Sequence, residues 1–157
     1  AKVMPVHEDL GDRAVLLALA ATARHAIAAP GALPPDLIVG HGVLGRLLAR
    51  LAVQAGGQPP TVWERNAARA GGAEGYRVCN PADDTRRDYR AVYDVSGDSS
   101  LLDELIGRLA PGGEVVLAGF YVEPLAFQFA PAFMREARIR VAAEWREADL
   151  VAVRGLV

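Results

Sequence analysis

Short apolar runs alternate with amphipathic stretches along most of the chain. Leu37-Ile38-Val39, Thr61-Val62-Trp63-Glu64, Tyr76-Arg77-Val78-Cys79, Tyr89 to Val95, Val115-Val116-Leu117-Ala118 and Ile139 to Ala143 read as strands. Helical spacing lies between and around them. Leu16, Leu19, Ala23 and Ile27 predict a buried helix from about Leu10 to Ala29, stopped by Pro30-Gly31. Val43, Leu44, Leu47, Leu48, Leu51 and Ala55 predict a second, with Arg46 and Arg50 off its apolar face and Gly56-Gly57 as its stop. Leu101, Leu102, Leu105, Ile106 and Leu109 give a third from about Ser99 to Leu109, capped by Ser100 with Asp103. Pro111-Gly112-Gly113 reads as a turn, Pro131 as the start of a short helix through Met134 and Ala137, and Leu150, Val153 and Leu156-Val157 as a closing helix. Ala67 to Gly75 holds at most a helical turn. Asp83, Asp84, Arg86, Arg87 and Asp88 read as a solvated loop.

Six strands alternating with helices imply an α/β protein with a doubly wound parallel sheet, a Rossmann fold. Such a sheet binds ligands beyond the C-terminal ends of its strands, where the strand order reverses. That places Gly40 to Gly45, Glu64, Ser96-Gly97 and Gly119-Phe120 around one crevice.

The chemistry sits in Gly40-His41-Gly42-Val43-Leu44-Gly45, between a strand and a helix. A first glycine permits a tight turn, a second lets backbone approach a pyrophosphate, and a third lets helix pack on strand; the helix start then offers free N–H groups to the anion. Gly40, His41, Gly42, Val43 and Leu44 are therefore candidate cofactor contacts. Glu64, 19 residues after Gly45, stands where a carboxylate would hold ribose hydroxyls and repel a 2′-phosphate, favouring NAD. Arg65 follows it and is the residue that could instead accept that phosphate. A solvated strand end is the plain alternative for Glu64. His41 reads either as a phosphate or nicotinamide contact or as an exposed filler. His25 reads as a packed or capped helix histidine near the nicotinamide end, and Cys79 as a small buried strand residue.

Composition narrows the classes. The chain has 157 residues, enough for one core, and 52% are hydrophobic, as a sheet covered on both faces requires. Net charge is −2, with no basic stripe to bind nucleic acid. Cys79 is the sole cysteine, so no intrachain disulfide forms, and a cytoplasmic location is the expectation. His7, His25 and His41 are far apart and give no zinc-ligand spacing. Ala14 to Ala23 has the apolarity of a signal-peptide core, but Glu8, Asp9 and Asp12 outweigh Lys2 and Arg13 before it, and it is too short to span a membrane.

In order, these pieces resemble the nucleotide-binding half of the medium-chain dehydrogenase/reductase superfamily. The carriers are Thr22-Ala23-Arg24-His25-Ala26, the glycine motif, Gly112 to Gly119, and Arg138-Ile139-Arg140 followed by Asp149-Leu150. More specific pieces are similar to the hydroxyethyl bacteriochlorophyllide dehydrogenase family: Leu37 to Leu48, Asp88-Tyr89-Arg90 through Tyr93-Asp94-Val95-Ser96-Gly97, Leu117 to Tyr121, Pro124-Leu125, Pro131 to Met134 and Ala143-Glu144-Trp145. That resemblance implies an oxidoreductase with NAD as hydride acceptor. It would oxidise the 1-hydroxyethyl group at ring position 3 of a bacteriochlorophyllide intermediate to acetyl, late in bacteriochlorophyll a synthesis. It leaves a homo-oligomer open. Phe120, Tyr121, Phe127, Phe129 and Phe133 could line a groove for the flat macrocycle; cover for an inter-domain interface is the preferred reading.

The superfamily has a separate catalytic domain. With Ala1 close to a linking helix and Val157 at a helix end, the expectation is a fragment: residues 1–33 a linking segment and helix, residues 34–157 the dinucleotide-binding domain. No catalytic residue or metal ligand is then identifiable in the chain. The short segment Asn80 to Arg87 would thin the wall beside the adenine. Competing readings are a zinc-free quinone-type NADPH reductase and a non-catalytic nucleotide-sensing Rossmann domain.

Overall fold

A computed structural model describes residues 5–154. A six-stranded parallel sheet forms its centre, in the order β3-β2-β1-β4-β5-β6. The strands are β1 (Leu37–Val39), β2 (Thr61–Trp63), β3 (Arg77–Cys79), β4 (Tyr89–Asp94), β5 (Leu109–Leu117) and β6 (Arg138–Val141). The helices are α1 (Leu16–Ile27), α2 (Val43–Gln54), α3 (Leu102–Gly107), α4 (Phe129–Met134) and α5 (Glu147–Arg154). The doubly wound Rossmann sheet is thus as the apolar runs predict.

The period of two along each strand splits the core between the two faces. Leu37, Val39, Trp63, Val115 and Leu117 pack with Leu102, Leu105 and Ile106 of α3 and Ala132 of α4. Ile38, Val62, Ala91, Tyr93 and Val116 pack with Ala23 and Ala26 of α1 and Leu48 and Ala49 of α2. Burial on both faces explains the near-continuous apolar runs. Register aligns Cys79, Trp63, Val39, Asp94, Leu117 and Val141 in one row at the C-terminal edge. The chain leaves β1 toward β2 on one side and returns to β4 on the other, so the reversal lies beyond Val39.

Several boundaries and faces differ from expectation. Instead of one helix from Leu10, a 3-10 segment spans Glu8–Val15, kinked at Gly11, and α1 follows. Leu17, Ala20, Ala21, Ala23 and Ala26 are buried, while Leu16 and Leu19 face out. The reason is that α1 is pressed between α2 and α5, where alanines allow close approach. In α2, Gly45, Leu48, Ala49 and Ala52 are buried and Val43 is exposed. Asp98, not Ser100 with Asp103, caps the segment before α3, its Oδ1 accepting from Ser100 N at 3.0 Å and Ser100 Oγ at 2.6 Å. Asp103 instead accepts from Gln128 N–H at 2.6 Å. Pro111-Gly112-Gly113 does not leave the sheet: it runs within β5 where the register against β4 shifts. The stretch Asp83 to Asp88 is not wholly solvated. Asp84 is buried, its Oδ2 accepting from Trp63 Nε1 and from Tyr89 OH, each at 2.6 Å. Leu156-Val157 lie outside the described residues.

Asp149 clasps α5 to α1. Its carboxylate accepts from Arg24 Nη1 at 2.6 Å, lies 2.7 Å from His25 Nδ1, and accepts from the Arg146 N–H at 3.0 Å. Burial alone would raise its pKa, but these partners outweigh it and hold the carboxyl below its usual range. Such a group stabilises the fold above the ordinary carboxylate pKa and loses that contribution as pH falls through its lowered folded value. Asp149→Ala is expected to cost about 2 kcal/mol by urea denaturation at neutral pH. The gap from wild type should shrink as pH falls below the ordinary carboxylate range and through the lowered folded pKa of Asp149, where its carboxyl protonates; a gap independent of pH would contradict the clasp.

Candidate functional site

The ladder continues one residue past the strand ends. Gly40 N–H donates to Trp63 O and Val95 N–H to Val39 O, each at 3.0 Å, which brings the glycine turn between β2 and β4. Gly40 has φ +105°, and a Cβ there would meet the Ser96 backbone at 3.3 Å. A Cβ on Gly45 would stand 1.9 Å from Gly40 O. Both glycines are demanded by the fold itself. Gly42 is not. Its φ of −74° suits any residue, and nothing in the chain lies within 4 Å of a Cβ there. It is also the N-cap of α2, and no side chain caps that helix. The N-cap of α2 thus supplies no side-chain acceptor to the first-turn N–H groups, which have the helix dipole behind them. A site with free donors and no Cβ in the way suits a pyrophosphate.

A cavity of about 260 Å³ lies at this point, lined by Val39, Gly40, Gly42, Trp63, Glu64, Arg65, Arg69, Pro81, Val95, Ser96, Leu101 and Glu104. Of the predicted residues, Gly40, Gly42, Glu64, Arg65 and Ser96 meet there. Val43 and Leu44 follow in the first turn of α2 without lining it. Gly97, Gly119 and Phe120 come together one strand away: a Cβ on Gly97 would meet Phe120 O at 2.9 Å, and one on Gly119 would meet Gly97 N at 3.2 Å. The Phe120 ring is exposed, as are Phe127, Phe129 and Phe133. Tyr121 leaves that group, its hydroxyl donating to Asp94 O at 3.2 Å.

Glu64 Oε2 accepts from His41 N–H at 3.2 Å and Oε1 from Asn66 N–H at 2.8 Å. The carboxylate thus braces the glycine turn and retains further lone pairs for a ligand. His41 is not an exposed filler. Its ring is fully buried, with Nδ1 2.6 Å from Arg69 O and Nε2 2.8 Å from Tyr76 OH. A carbonyl only accepts, so Nδ1 carries the proton. Arg46 completes the brace, donating from Nε to His41 O, from Nη1 to Gly71 O and from Nη2 to Arg69 O. These bonds fix the wall from Ala67 to Gly71. His25, spent on Asp149, does not line the cavity.

On the opposite wall the buried Asp94 accepts from Ser96 N at 2.9 Å and Ser96 Oγ at 2.6 Å, pinning the turn after β4. Burial raises its pKa against the lowering effect of those bonds. The sequence did not single out Trp63, Arg69, Pro81, Leu101 and Glu104. Only Trp63 had a signal, as the last residue of a strand next to the switch point. Pro81 belongs to a 3-10 turn (Pro81–Asp83) that, with Leu101, lines the cavity on the side where the sequence predicts a thin wall.

No family model matches the chain. Over 142 residues it is 66% identical to the 2-desacetyl-2-hydroxyethyl bacteriochlorophyllide A dehydrogenase of Cereibacter sphaeroides, covering 90% of this chain and 45% of that protein. The chain is similar to part of a bacteriochlorophyllide dehydrogenase. The enzyme of the same name from Rhodobacter capsulatus is 58% identical over 156 residues, 99% of this chain and 50% of that protein. The chain spans about half the length of the curated relatives it matches. Among solved structures, the short chain alcohol dehydrogenase rspB of E. coli CFT073, complexed with NADH, superposes with TM-score 0.79 at 18% identity, over 98% of this chain and 50% of that one. TarJ of S. aureus in complex with NADPH gives 0.76 at 16% identity, over 88% and 47%. These likenesses show the fold. Among the described residues no helix is long and apolar enough to cross a membrane.

Proposed function

We propose that the chain is the dinucleotide-binding part of an NAD-dependent oxidoreductase that converts the hydroxyethyl group of a bacteriochlorophyllide to acetyl. The carrying observation is Gly42: a glycine that the fold does not need, at an uncapped helix start, in the one crevice where the strand order reverses. The identity to bacteriochlorophyllide dehydrogenases supports the substrate. When bound, NAD accepts the hydride; the chain's own residues bind and orient. The N–H groups at Val43 and Leu44 receive the pyrophosphate, with Gly42 as the gap that admits it. Glu64, already anchored on two N–H groups, presents its remaining lone pairs to the ribose hydroxyls. Trp63, Pro81 and Leu101 exclude water from the adenosine end. Gly97, Gly119 and Phe120 border the nicotinamide end. Proton transfer to or from substrate falls to residues outside the chain.

The test is a chimera in which this chain replaces its counterpart in the Cereibacter sphaeroides relative, assayed on the 3-hydroxyethyl bacteriochlorophyllide with NAD. The expected product is the 3-acetyl pigment, at a rate within about tenfold of the parent. A folded, NAD-binding chimera that leaves the pigment unoxidised would overturn the substrate assignment.

A further inference from the structure

Arg65 is the feature of the crevice that the function above does not use. It follows Glu64 directly, where a cation would meet a 2′-phosphate, and its side chain is 66% exposed. It does not stand free. Nη2 donates to Asp98 Oδ2 at 2.9 Å, bridging from the end of β2 to the turn after β4. Asp98 is itself fixed. Its other oxygen holds Ser100 N and Oγ, and its N–H donates to Ser96 Oγ at 3.1 Å, which in turn donates to Asp94. Exposed ion pairs are weak when both partners are mobile. Here the carboxylate is already held in place, so Arg65 gains a partner at little ordering cost. Glu64, the residue before Arg65, is held by the His41 and Asn66 N–H groups, and the ion pair of Arg65 is with Asp98.

We propose that Asp98 is a specificity-determining residue: by engaging Arg65 it denies the crevice the cation that a 2′-phosphate requires, and so favours NAD over NADP. The inference rests on the dinucleotide reading above. Discrimination comes from the unfavourable side, since a phosphate entering here meets an arginine already paired with Asp98. Arg69 also lines the cavity and is the competing cation.

The experiment measures NADH and NADPH dissociation constants for the chain, Asp98→Asn, and Asp98→Asn with Arg65→Ala. Asparagine keeps an oxygen for the Ser100 N–H and removes the charge. The ratio of NADPH to NADH affinity is expected to rise about tenfold in Asp98→Asn, the scale of one charge-assisted contact, and to fall back in the double variant. An unchanged ratio in Asp98→Asn, with wild-type NADH binding intact, overturns this inference alone. A gain that survives Arg65→Ala assigns the phosphate to Arg69 and also overturns it. Failure of the wild-type chain to bind NADH overturns the dinucleotide reading and this inference together.

Discussion

Gly45→Ala is expected to cost the chain roughly 3–5 kcal/mol, a large share of the stability of a domain this size. A methyl group there would stand 1.9 Å from Gly40 O and 3.0 Å from Gly40 C, both backbone atoms, so no side chain can swing aside. The first turn of α2 has to lift off β1. That opens the packing of Leu48 and Ala49 on Ile38 and Val62. Chemical denaturation reads the loss directly. A cost under about 1 kcal/mol would mean that helix and strand are not in this close contact.

Gly42→Asp is expected to do the reverse. Its backbone is already in the extended N-cap conformation, space is open, and a carboxylate there would accept from the uncapped N–H groups of α2. Stability should hold or rise by about 0.5 kcal/mol. Dinucleotide affinity should fall at least about 100-fold, because the new charge occupies the donors and repels the pyrophosphate. Neighbouring glycines would then fail in opposite ways, one in folding and one in binding. Unchanged affinity in Gly42→Asp would remove the pyrophosphate from this turn.

The place of these two glycines was legible in the sequence because it is local: a strand, a turn and a helix in direct succession. The sheet was legible for a related reason, since burial on both faces writes itself as short continuous apolar runs. What the sequence left dark depends on strand order. Asp84 lies in a charged run that looks solvated, and it is buried only because Trp63 of β2 and Tyr89 of β4 turn their polar atoms onto it. His41 looks like a variable filler until the loop from Ala67 to Tyr76 folds over it. Asp98 reaches Arg65 across 33 residues because β2 and β4 flank β1. In α1, periodicity marked a helix correctly and its inward face in part: Ala23 is buried and Ile27 packs on the core, whereas Leu16 and Leu19 are exposed and alanines make the close contacts.

Binding of a nicotinamide dinucleotide in the crevice beyond β1 is what the proposed function requires of this chain. Trp63 lines that crevice, so its fluorescence reports occupancy. The decisive measurement is an NADH titration of the chain followed by energy transfer from tryptophan to the reduced nicotinamide. A saturable signal at one NADH per chain, reversed by excess NAD, is expected. A signal that falls only in proportion to added NADH, with no saturation and no displacement, would contradict it.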